Sequence, residues 1–167
     1  MINPRPTEVI ENLIATLDSI ILPRLKEADV LSAATTTRHM LRYVLNQMWL
    51  EPVIFAAELP KLEGLLDEAR QFFHAVGASE ALAIVATALA HDADDVEPGH
   101  EGIAMRVGKL REGIHGALRQ LIDHRADWSG STGYDDLRKA IRDYLAWQNI
   151  EEAKIVAPAF YGQGARR

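Results

Sequence analysis

Apolar residues in this chain recur at spacings of three and four, and nowhere in the strict alternation of a half-buried strand. Thr7 is placed as an N-cap, with Glu8 and Glu11 in the first turn complementing the helix dipole. Ile10, Leu13, Ile14, Leu17, Ile20 and Ile21 then mark an amphipathic helix that Pro23 should kink or end. A second helix is predicted from near Asp29 or Ser32, with Leu41, Val44, Leu45 and Met48 as its inner stripe and Pro52 as an interruption. Val53 to Leu59 then reads as a further turn or a kinked continuation. Pro60 suits the first turn of the next helix, which carries Leu62, Leu65, Leu66, Ala69, Phe72 and Phe73 on one face and stops at Gly77.

Ser79 is expected to cap a short, Ala-rich helix from Glu80 to about His91, apolar nearly all round and therefore buried. An acidic loop follows, with Asp92, Asp94, Asp95 and Glu97. The next helix is predicted from about Ile103 to Asp123, with Val107, Leu110, Ile114, Leu118 and Leu121 inward. Gly102, Gly113 and Gly116 lie along one side of it. Each interior glycine costs up to ~1 kcal/mol relative to alanine, so another helix is expected to approach closely there, from the same chain by preference or else from a second subunit. A polar loop, Ala126 to Gly133, leads to a final helix from near Tyr134 to about Tyr161, and residues 162–167 read as a frayed tail. These elements predict an all-α, up-and-down bundle of five to six helices in a single domain spanning residues 1–167.

The chain has 167 residues, no cysteine and a formal net charge of −6. Disulfides, thiolate metal sites and cysteine catalysis are excluded. Scattered lysines and arginines on an acidic chain argue against nucleic-acid binding. The start lacks the charged-then-apolar order of a signal peptide. The longest apolar run, Ala81 to Ala90, falls well short of the ~20 residues needed to span a bilayer. The reading is a soluble, cytoplasmic protein without membrane contact. Trp49 and Trp147 flank apolar stripes, and Arg38 and Arg42 lie at boundary positions; aromatics with arginine are favoured at interfaces, so a homodimer or another protein partner is expected.

The sharpest chemical candidate lies on the final helix. Leu137, Ile141, Tyr144, Leu145, Ile155 and Ala159 share one stripe, and Gln148 and Glu152 fall on it. A carboxylate on a core-facing stripe costs free energy unless it is paired. Glu152 is therefore expected either to bond a neighbouring Arg38, Arg42 or Tyr43, or to face a ligand together with Gln148. The candidate ligand-binding set is Gln148, Glu152, Tyr144 and Arg42. The six histidines fall on polar sides, flanks or helix ends and are expected in solvent. Glu112-Gly113-Ile114-His115 has the Glu-x-x-His spacing of di-iron bundles, but Glu112 points away from Ile114 and no second inward copy exists. No metal site and no cofactor are predicted.

Gln148-Asn149-Ile150-Glu151-Glu152, with Pro158 downstream, resembles the outline of a hemerythrin-type motif, although Gln148 stands where that family has a histidine. Arg5-Pro6-Thr7-Glu8-Val9 through Ile21-Leu22-Pro23-Arg24-Leu25, up to about Asn46, resembles the start of uncharacterised bacterial all-helical domains that accompany aminoglycoside-phosphotransferase-like proteins. That resemblance implies an all-helical accessory role and no catalytic residues. The leading expectation is an interaction or accessory protein. The alternative is a small-molecule or metal-binding bundle, with enzymatic activity an open question, built around a buried Gln148/Glu152 pair.

Overall fold

Helical spacing of apolar positions produces six α-helices among the described residues: α1 (Pro6–Thr16), α2 (Ala28–Ala75), α3 (Ser79–Leu89), α4 (His100–Asp123), α5 (Arg125–Trp128) and α6 (Tyr134–Ala159). The structure, a computed structural model, describes residues 4–90 and 100–160, without the side chain of residue 100. No strand occurs among them, so the protein is an all-α helical bundle. The acidic loop, His91 and the tail at 162–167 lie outside the described residues. Among the described residues, no helix is long and apolar enough to cross a membrane.

Local chemistry explains most helix ends. The first N-terminus is set two residues earlier than expected: Pro6 opens α1, and the Arg5 backbone N–H donates to Glu8 Oε2 at 3.0 Å, so Thr7 is not the cap. Between α1 and α2 the chain makes a π-helical turn over Leu17–Ile21 and a 3₁₀ turn over Leu22–Arg24 that contains Pro23. Gly77 ends α2 with φ +71°, and Ala78 N–H reaches back to the Phe73 carbonyl at 2.9 Å. Ser79 is the first residue of α3 rather than its cap, which is Ala78. Arg106 instead settles the other end of α3: its guanidinium donates to the carbonyls of Ala88, Leu89 and Ala90 at 2.9, 3.2 and 3.0 Å, placing a cation at the negative end of the helix dipole.

The prolines produce the largest correction. Pro52 does not interrupt a helix and Pro60 does not begin one; both lie inside α2. An interior proline forfeits one backbone hydrogen bond and costs ~3 kcal/mol. Burial on the same helix outweighs that cost: Ile54, Leu62, Leu65, Leu66, Ala69, Phe72 and Phe73 are all buried.

The chain divides into two compact units, residues 1–51 with 150–167, and residues 52–149. The second unit holds the main hydrophobic core, with α2 side chains packed among Val85 of α3, Leu110 and Ile114 of α4, and Tyr134 and Ile141 of α6. Trp128 of α5 joins at the edge of the Phe72 and Phe73 rings. The close approach expected at the glycines is within the chain. A Cβ added to Gly113 would collide with the Ala88 Cβ, and one added to Gly116 would sit 2.6 Å from Ile84 Cγ2.

The first unit buries far less. Among its described residues only His39, Leu45, Ile155 and Ala159 are fully buried. Val44 and Met48 belong to the expected inner stripe, yet both are exposed.

Gly108, also inside α4, has open space where a Cβ would stand, with nothing within 4 Å. Gly108→Ala should therefore raise stability by up to ~1 kcal/mol. Gly113→Ala should lower it by about 1 kcal/mol or more, because overpacking exceeds the helical gain. Urea unfolding of both variants checks this, and equal gains at the two positions would contradict the close α3–α4 contact.

Candidate functional site

Among the described residues, the fully buried carboxylate is Glu58, whereas Glu152 is half-buried. Glu58 is fully buried on α2, one turn before Leu62. Three donors meet it within the second unit. Arg111 of α4 donates from Nε to Oε1 at 2.7 Å and from Nη2 to Oε2 at 2.8 Å. Tyr144 of α6 donates its hydroxyl to Oε1 at 2.6 Å. The guanidinium also lies over the Phe55 ring, 5.6 Å from its centroid. A two-point arginine fork is the strongest arrangement a carboxylate can receive from a single side chain. Burial, followed by the hydrogen bond and negative charge of Glu58, raises the Tyr144 hydroxyl above the usual tyrosine range.

This arrangement is chemically closed. Tyr144 commits its only proton to Glu58, and the carboxylate receives donors on both oxygens. Its role is to fasten three helices of one unit at a single point. Tyr144 also lines, with Lys61, Gly64 and Trp147, a groove of about 430 Å³ between α2 and α6. Lys61 Nζ already covers the Trp147 ring there, 5.2 Å from its centroid. A second groove, of about 630 Å³, runs between α3 and α4 over Ile84, Ala88 and Gly113.

The first unit holds a separate polar cluster. Asp18, carried by the π-helical turn, accepts from Arg38 at 3.0 Å and from Arg42 at 2.9 Å. Partial burial works to raise its pKa. The Arg38 hydrogen bond and the charges of Arg42 and Arg38 outweigh that and hold the carboxyl below its ordinary value. His39, next in the chain after Arg38, is only 2% exposed, which overturns the expectation of six solvent histidines. Its Nδ1 lies 2.5 Å from the Ala159 carbonyl, which can only accept, so that nitrogen carries the proton. The Phe160 ring stacks on it at 5.7 Å. The C-terminal turn of α6 thus covers a side of α2 that the apolar stripe alone leaves open. His74 and His115 are exposed as expected.

Each of the four candidate ligand-binding residues has neighbours of its own. Tyr144 is buried on Glu58 in the second unit, and Arg42 bonds Asp18 in the first. Gln148 and Glu152 are half-buried on α6, and each is engaged by neighbours. Sequence reasoning missed Glu58, Arg111, Asp18 and the burial of His39. One signal was available for Glu58: continuing the α2 stripe backwards from Leu62 by four residues lands on it, and by eight on Ile54. Among the described residues, no group of three or more His, Asp or Glu side chains is placed to hold a metal ion.

Glu58→Gln should cost ~3 kcal/mol, the low end for breaking a buried pair, because water reaches the 26%-exposed Arg111 side chain. Tyr144→Phe should cost about 1 kcal/mol. In denaturant unfolding the double variant should lose less than the sum of the two, and strict additivity would mean that these groups do not share one network. The raised Tyr144 pKa adds a pH signature. The unfolded phenol ionises at pH ~10, so native stability should fall as pH rises beyond that value, and Tyr144→Phe should flatten the fall. No family model, curated protein or solved structure matches the chain.

Proposed function

We propose that the protein is an interaction or accessory protein that self-associates as a homodimer through its first unit. The observation that carries this reading is the distribution of apolar surface. Among the described residues, thirteen of the seventeen exposed large apolar side chains belong to the first unit, which is the smaller of the two. They include Leu13 at 49% exposure, Met40, and Trp49 at 51%.

Scattered exposed hydrophobics are ordinary, but a concentration of them marks an interaction surface. Thirteen side chains at about half exposure present on the order of 800 Å² of apolar area over the unit as a whole, and one partner's share of a standard interface is of the same order. A two-fold dimer uses the same surface on both copies, so one unit supplies both halves. The methionines on α2 suit such a face, because their side chains adapt to a partner's shape. The N-terminal resemblance to helical accessory domains falls on this same unit. The ligand-binding alternative ranks second: the buried carboxylate is saturated by its own chain, and Gln148 and Glu152 are half-buried rather than enclosed.

Sedimentation of the full chain should show a dimer. Val44→Asp combined with Met48→Glu, both at exposed positions, should shift it to monomer while helicity and unfolding midpoint stay near wild type. A wild-type chain that remains monomeric to roughly 100 µM, equivalent to binding weaker than about −5.5 kcal/mol, would overturn the reading.

A further inference from the structure

We propose that α1 and the π-helical turn that follows it (Leu17–Ile21) form an exchange arm, which in the dimer leaves its own chain and seats Asp18 between Arg38 and Arg42 of the second copy. The proposal rests on the self-association reading and names the element that performs it.

Three observations within the first unit converge on α1. First, the helix has no buried residue. With the turn that follows it, its apolar side is wider than one neighbour covers: Ile10, Ile14 and, in the turn, Leu17 are half-buried, whereas Val9, Leu13 and, in the turn, Ile20 form a second stripe in solvent. Second, the arm's charged attachment lies on its π-helical turn. Asp18 meets two guanidiniums, and all three side chains remain partly exposed. Ion pairs of that kind contribute little each, so α1 is released easily. Third, the link to α2 is not α-helical. After the π-helical turn, a 3₁₀ turn containing Pro23 and an extended Leu25 (φ −79°, ψ 130°) occupy residues 22–25. Leu25 N–H closes that link on the Leu22 carbonyl at a long 3.3 Å. A change of direction there breaks little regular backbone bonding.

A second copy carries the same Arg38 and Arg42. Seating α1 on it restores each latch contact, and the Val9–Leu13–Ile20 stripe gains a second protomer to pack against. The added burial offsets the lost translational and rotational freedom of association. Exchange of identical elements is a low-cost route to a dimer for this reason.

Complementary charge reversal tests the idea in the full-length protein. One variant is Asp18→Arg; the other is Arg38→Asp with Arg42→Asp. Each alone sets like charges at its latch, and its dimerisation should weaken at least about tenfold. In a one-to-one mixture exchange creates two attractive latches. The Asp18→Arg arm meets the new carboxylates, and the unaltered Asp18 meets the unaltered arginines, so a mixed dimer should form with near wild-type affinity. A wild-type dimer with no recovery in the mixture would overturn exchange and leave self-association standing. Variants that dimerise normally alone would also overturn it, whereas a monomeric wild-type chain would remove both proposals. If either charge variant loses its helical circular dichroism, a second test applies. The chain has no native cysteine, so Asp18→Cys with Arg42→Cys can be joined by a short bis-maleimide. Covalent dimers on a denaturing gel support exchange, and purely intrachain links in a dimeric sample refute it.

Discussion

A carboxylate with no contact to water governs the second unit. Glu58 is 0% exposed, and an isolated charge in such a place would cost several kcal/mol. It is tolerated because Arg111 supplies two N–H donors and Tyr144 a third. These donors come from α4 and α6, so the requirement to satisfy one group on α2 fixes three helices at a point. The surrounding apolar contacts, such as Leu62 and Leu66 against Ile114 and Ile141, provide most of the burial but little angular specificity. The polar point supplies register. Hydrophobic residues of similar volume could replace it with little loss of stability, so we infer that it contributes positional specificity rather than net energy.

Among the described residues of the first unit, no carboxylate is fully buried. Its buried polar group, His39, bonds a backbone carbonyl at the end of α6, and its ionic cluster stays near solvent. Few of its apolar residues are fully covered. The two units therefore solve different problems. One satisfies its buried carboxylate within the chain, while the other leaves apolar side chains and an α1 without a buried residue in solvent. On the proposed reading, that contrast would make the second unit a scaffold and the first a surface.

Much of the fold was legible in the sequence. α4 and α6 lie close to where spacing places them, Gly77 stops α2, and the glycine side of α4 receives a neighbouring helix. These features depend on local periodicity and backbone conformation, which a single chain displays directly. The prolines were misread because a propensity rule was applied where tertiary burial decides. Reading Pro60 as a helix start removed Glu58 from its stripe, so the true buried carboxylate escaped notice. The site therefore went to Glu152, whose stripe meets a proline only downstream of it, at Pro158. His39 failed differently. Its angle relative to Leu41 and Leu45 was sound, but a helical wheel cannot show that Ala159, 120 positions later, covers the opposite side.

Apolar width on a helix carries information that apolar presence does not. Ile10, Ile14 and Leu17 would suffice for a helix lying against one neighbour. Val9, Leu13 and Ile20 extend the face by a further stripe that no described residue fully covers. An amphipathic helix gains its stability chiefly from tertiary burial rather than from propensity, and eleven residues is short for independence. A helix with this composition and no buried residue is thus under-satisfied in the isolated chain. Any further free energy for α1 must come from surface beyond the described residues, and on the proposed self-association its ordering and association would be thermodynamically coupled.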